Sequence, residues 1–197
     1  MHGRIWTIGH STRDWPEFVE LLKAHGVRTV VDVRHYPSSR HFPQFNKPAM
    51  EKALPAEEID YIHEVALGGR RKPQPDSPNS YWRHPQFRAY ADYQATAEYR
   101  AALERLIDIA AKRPTAMMCA EAVPWRCHRQ LIADSLALRG FEVRHILSPG
   151  RADLHVLNPA IQIGGDGHPY YPSRESLPLF PPDGGRLPKE SAGSPQD

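Results

Sequence analysis

No run of about eighteen apolar residues occurs in the chain, so no membrane-spanning helix and no membrane partner are expected. Cysteine is scarce. The 197 residues hold two, Cys119 and Cys127, too few for a disulfide framework. Free thiols in a reducing, cytoplasmic compartment are the expectation. The first residues run directly into Arg4–His10 without the basic and apolar segments of a signal peptide, which agrees with that compartment. An excess of charge of one sign is also missing. The formal net charge of +2 is too small to imply a nucleic-acid partner by itself. No internal repeat is present. Proline alone is in excess: the 20 prolines are about twice the average usage. They gather in residues 37–85 and in the tail, so they mark loops rather than the core. The remaining 40% hydrophobic and 24% charged content fits one well-buried domain.

Hydrophobic periodicity orders the elements. "RIWTIGH" (4–10) reads as a short apolar strand. Asp14 with Glu17 forms a capping-box pattern, Pro16 suits a first helical turn, and Gly26 stops the helix. "VRTVVDVR" (27–34) follows as a continuous apolar strand, which makes a βαβ unit with a parallel pair. Residues 35–85 are less regular: a basic Pro-rich loop, a short helix capped by Asn46, a third strand within 59–69, and a long polar loop. A single long helix is expected over 86–113, a strand at 115–121, a helix from about Pro124 to Arg139, and a last core strand at 141–148. The fold class is therefore α/β: a three-layer α/β/α, Rossmann-like domain with a mostly parallel sheet of about five strands. It spans 1–150, with a C-terminal extension at 151–170. From Tyr171 to residue 197 Pro, Gly and Ser dominate without periodicity, and disorder is expected.

In an open parallel sheet, ligands bind outside the carboxyl ends of the strands. Polar residues gather at those ends here. The first strand finishes with Gly9, His10 and Ser11, the second with Asp32 and Arg34, and the loop beyond holds Ser39. The third finishes with Gly68, Gly69 and Arg70. The fourth finishes with Cys119 and Glu121, and its helix opens with Cys127, His128 and Arg129. Arginine forks and helix N-termini favour anions. A thiol in a first helical turn near Arg and His has a lowered pKa. His10, Glu121, Cys127 and His128 are the candidate catalytic groups, and Gly9, Ser11, Asp32, Arg34, Ser39, Gly68, Gly69, Arg70 and Arg129 the candidate ligand-binding ones.

Each also has an ordinary structural reading. Cys119 fits a buried strand residue acting as a small hydrophobe. Cys127 fits a helix start, and His128 is in phase with Leu131, Ile132 and Ser135. Asp32 can pair with Arg34, and Glu121 with Arg129. The aromatic and basic segment 80–94 can stack bases or pack a helix onto the core. A metal site of Cys119, Cys127 and His128 is the weaker reading, because the cysteines lie eight residues apart without a second CxxC pair; no metal ligand and no cofactor is assigned.

"TIGHS" (7–11), "DVRHYPSS" (32–39), "LGGRR" (67–71) and "MCAEAVPWRCHR" (118–129) resemble, in order, the signature blocks of the DUF488 family. The resemblance implies a small cytoplasmic α/β domain and supplies no reaction. "VVDVR" with a later strand-end thiol is also similar to rhodanese. There the anion cradle begins at the cysteine, whereas Cys119 is followed by "AEAVPW". The leading expectation is a domain that binds an anionic ligand (phosphate, nucleotide or nucleic-acid end), with hydrolase or transferase chemistry by His, Glu, Arg and a Cys. Arg34, Arg70 and Arg129 would hold the anion. The alternatives are a non-catalytic nucleic-acid module and thiol or persulfide chemistry at Cys127. No oligomeric state follows from the sequence.

Overall fold

A computed structural model describes residues 3–165 and 167–173. Six strands form one sheet: β1 (Arg4–Gly9), β2 (Thr29–Asp32), β3 (Asp60–His63), β4 (Thr115–Cys119), β5 (Glu142–Ser148) and β6 (Arg151–Leu154). Their order is β3-β2-β4-β1-β5-β6, parallel except for β6, which runs antiparallel to β5. The edge strand β6 was not expected. It pairs through Arg144–Leu154, His145–Asp153 and Ile146–Ala152. Two short strands, β7 (Gln162–Ile163) and β8 (Pro169–Tyr170), pair apart from the main sheet.

The core divides by the period-two alternation of the strands. Val30, Ala116 and Met118 point to one face, where α1 (Trp15–Ala24) and α2 (Lys47–Ala56) cover them with Phe18, Leu21, Leu22, Met50 and Leu54. Val31, Met117 and Cys119 point to the other. There α3 (Pro85–Gln94), α4 (Ala97–Lys112) and α5 (Arg129–Leu138) supply Tyr90, Leu103, Leu106, Leu131 and Ile132. The Asp14 carboxylate accepts from Glu17 N at 2.8 Å, as the capping pattern requires, and Gly26 takes φ 68° where α1 ends.

Several boundaries differ from the periodicity. The helix expected over 86–113 is two helices, because Thr96 caps a new one: its Oγ1 accepts from Tyr99 N at 3.2 Å. The third strand stops at His63, and Val65–Leu67 form a 3-10 turn closed by Glu64. The helix expected from Pro124 is a 3-10 turn (Pro124–Arg126), a break, and then α5. Asn46 precedes α2 without capping it, and its Oδ1 instead accepts from Ser39 N. Tyr171, where the expected tail begins, is buried and donates to Asp134 Oδ2 at 3.0 Å. Residues 174–197 lie outside the described residues.

Strands β2 and β4 are neighbours, but the helix after β2 covers one face and the helix after β4 the other. Their loops leave the sheet in opposite directions, and a crevice opens between them at the carboxyl ends.

Candidate functional site: a thiol-imidazole cleft

That crevice holds a cleft of about 420 Å³. Its walls include Arg34, His35 and Tyr36 after β2, Gly69 and Arg70 after β3, Phe87 and Tyr90 of α3, and Cys119, Glu121, Arg126, Cys127 and His128 after β4. A larger hollow of about 670 Å³ lies between residues 74–79, α3 and the β7–β8 turn. It holds no thiol, so size does not decide where the chemistry is.

Cys119 closes β4, and Cys127 has extended backbone between the 3-10 turn and α5 (φ −137°, ψ 145°). Their two Sγ atoms and His128 Nδ1 lie within 4.8 Å of one another. Nδ1 is 3.7 Å from Cys127 Sγ and 4.0 Å from Cys119 Sγ. The other ring nitrogen fixes this orientation. Val33 O can only accept, so His128 Nε2–H donates to it at 2.9 Å, and in the neutral ring Nδ1 is the bare nitrogen. The Tyr90 ring packs against the imidazole, with centroids 5.0 Å apart.

Arg129 is 1% exposed and fully engaged. Its Nε donates to Cys127 Sγ at 3.4 Å, Nη1 to Thr7 Oγ1 at 3.3 Å, and Nη2 to Glu121 O at 2.5 Å. Its backbone N also approaches Cys127 Sγ at 3.5 Å. Burial opposes ionisation of Cys127. The hydrogen bond with Cys119 and the neighbouring His128 and Arg129 outweigh it and hold the Cys127 thiol well below its usual range. Cys119 moves the opposite way, by its hydrogen bond with Cys127 and by its own burial. The two shifts favour Cys127 as the first of the pair to lose its proton.

A second of the three arginines expected to hold an anion is also committed. Arg34 lines the cleft but donates to both carboxylate oxygens of Asp32 and, through Nη2, to Phe45 O at 2.7 Å. Tyr61 OH donates to the same Asp32 carboxylate at 2.7 Å. His10 lies behind this pair. It stacks on Phe45 with centroids 4.4 Å apart, and burial, then the Arg34 charge, lower its pKa to about 4.

Of the residues singled out in the sequence, Arg34, Gly69, Arg70, Glu121, Cys127 and His128 line the cleft. Gly9, His10, Ser11, Asp32, Ser39, Gly68 and Arg129 do not, and they build its frame. A Cβ on Gly9 would sit 1.8 Å from Glu121 O, so the β4 loop can close over β1 only at a glycine. Ser11 N donates to Ala120 O, and Ser39 Oγ accepts from Phe42 N. Cys119, expected as a plain strand residue, is a cleft residue. Glu121 meets Arg129 through its carbonyl rather than its carboxylate. The loop after Cys119 turns carbonyls inward to Arg129, and so differs from an amide-lined anion cradle.

Arg126 lies inside the block 118–129, and nothing in the strand-end pattern singles it out. It is exposed on the rim and makes no ion pair among the described residues. Arg70 stands on the opposite wall in a left-handed backbone (φ 63°), with its guanidinium over the Tyr36 ring. The interleaved aromatics of 80–94 mostly serve packing. Trp82 and Phe87 stack at 5.2 Å, and Tyr90 and Tyr93 are buried.

A family model described as a domain of unknown function, DUF488, matches residues 14–136. The chain belongs to the DUF488 family. The matched span contains β2, β3, β4, both thiols and every residue that lines this DUF488 cleft. No curated protein and no solved structure matches the chain.

Proposed function

We propose that this DUF488 chain binds a small phosphate-bearing anion in the cleft between the β2 and β4 loops, and acts on it as a transferase or hydrolase. One observation carries the reading. Arg70 and Arg126, both without an ion pair among the described residues, face the same cleft as Cys119, Cys127, His128 and Glu121. Guanidinium forks with no carboxylate partner are matched to phosphate oxygens. The two arginines hold the anion, and its reacting end meets the thiol-imidazole floor. There Cys127 is the nucleophile, and His128 Nδ1 and the exposed Glu121 carboxylate are the groups able to move a proton. Arg34 and Arg129 position this floor and do not touch the ligand.

Calorimetry with inorganic phosphate, pyrophosphate and a nucleoside monophosphate tests the reading. Saturable binding is expected for at least one of them. Each charge-assisted bond contributes about 1.5–3 kcal/mol, so Arg70→Ala and Arg126→Ala should each weaken binding by roughly tenfold or more. No binding of any of the three, or equal affinity in the double variant, would overturn it.

A further inference from the structure

Three soft or borderline donors meet at the cleft floor, and the geometry points to a bound divalent metal of the zinc class: we propose that Cys119 Sγ, Cys127 Sγ and His128 Nδ1 coordinate one Zn²⁺, with the fourth position open to the cleft. Zinc takes thiolate sulfur at about 2.3 Å and imidazole nitrogen at about 2.0–2.1 Å in a tetrahedral shell, so sulfur and nitrogen ligands of one ion sit about 3.6 Å apart. The two sulfur–nitrogen distances are 3.7 and 4.0 Å, and all three donor atoms fall within 4.8 Å. The sulfur–nitrogen distances need a contraction of a few tenths of an ångström to complete the shell, and the sulfurs, within 4.8 Å of each other, one of about 1 Å at most.

Three further observations support an ion at this point. Metal-bound histidines commonly donate their second ring N–H to a carbonyl or carboxylate, which fixes both the tautomer and the ring. His128 does so through Nε2 to Val33 O, and the nitrogen left bare is the one facing both thiols. Space is also kept on that side of the ring. A Cβ on Gly69 would lie 3.1 Å from His128 Nδ1, so a glycine leaves room in front of the ligand atom. Arg129 donates to Cys127 Sγ, as protein groups around a metal thiolate do.

The donor set selects the ion. Two thiolates and an imidazole disfavour magnesium and calcium, which take oxygen, and suit zinc. Three protein ligands with an open position form the arrangement of reactive rather than purely structural zinc sites. Binding releases protons from whichever thiols still carry them and needs no oxidant. The inference shares Cys127 and His128 with the anion reading: with the ion bound, Sγ and Nδ1 would be its ligands and no longer the nucleophile and the proton carrier, while Arg70 and Arg126 would still hold the anion.

The test titrates the reduced full chain with Co²⁺ under anaerobic conditions, then with Zn²⁺. One equivalent of cobalt should bind, with thiolate-to-cobalt charge transfer and the intense ligand-field bands of a tetrahedral site. One equivalent of zinc should then abolish both. Cys119→Ser, Cys127→Ser and His128→Asn should each lose affinity, and each Cys→Ser change should roughly halve the charge-transfer intensity per bound cobalt, with far-ultraviolet dichroism reporting the fold. If a variant does not fold, the wild-type cobalt spectrum still decides. A pale octahedral spectrum without charge transfer overturns the inference. So does a reduced protein that binds neither metal, or unchanged bands in all three variants. The Arg70→Ala/Arg126→Ala variant should keep the full cobalt spectrum. Its loss would place the ion elsewhere and overturn the inference, whereas failure of phosphate binding alone leaves the zinc result intact.

Discussion

Arg34 grips Asp32 with its Nε and Nη2, at 2.8 and 3.1 Å from Nε and 2.5 Å from Nη2, and both side chains are buried. The motif that reads as an anion-binding strand end is therefore a closed internal pair. It ties β2 to Phe45 of the following turn and to Tyr61 of β3. Breaking a buried pair by removing one partner typically costs about 3–5 kcal/mol, because the other charge is left uncompensated. Asp32→Ala and Arg34→Ala should each lower the unfolding free energy by that much, read as a lower midpoint in urea. An unchanged midpoint would contradict the pairing.

Gly9 and Gly69 should behave differently. Gly9→Ala forces a Cβ into the Glu121 carbonyl, 1.8 Å away, and backbone cannot yield as a side-chain end can. This variant should not reach a native fold, as judged by the loss of a cooperative thermal transition. Gly69→Ala presses only on the His128 ring at 3.1 Å. Its melting temperature should stay near wild type while its cobalt affinity falls.

Two buried histidines set a direction for acid stability. Burial, then Arg34, brings His10 to about 4, and burial, then His155, brings His145 to about 3. The ordinary value is 6.5, so below that pH the unfolded chain binds protons that the folded chain refuses. Stability then falls as pH drops from about 6.5 toward 4, by roughly 2–3 kcal/mol for each group. Ring resonances of His10 and His145 that titrate near 6.5 would refute this. Urea curves between pH 7 and pH 4 give the slope.

The break between α3 and α4 rests on the Thr96 cap. Thr96→Ala should cost about 1 kcal/mol, measured by chemical denaturation. A stabilised variant would mean that the two segments prefer to run as one helix.

The α/β class and the parallel order were legible because β2 and β4 are buried throughout and read as continuous apolar runs. The gathering of polar residues at the strand ends was legible too. Which of them stay free was not. Arg34 and Arg129 look like Arg70 and Arg126 in sequence, and only the fold decides that the first two meet Asp32, Thr7 and inward carbonyls. The meeting of Cys119 with Cys127 was hidden by their spacing, because the 3-10 turn at 124–126 folds eight residues of chain back on itself. The edge pairing of β6 and the chain from His145 through His155 to Asp134 and Tyr171 depend on contacts between distant segments, which local periodicity does not carry.

The most direct test of the cleft as the binding site is a pyrophosphate titration of protein labelled in its histidine rings, followed by NMR. The His128 resonances, on the cleft floor, should shift saturably with the same midpoint as calorimetry. Those of His25, at the end of α1 and bonded to Ser148 O outside the cleft, should stay in place. Pyrophosphate that binds without moving His128 would contradict the site proposed here.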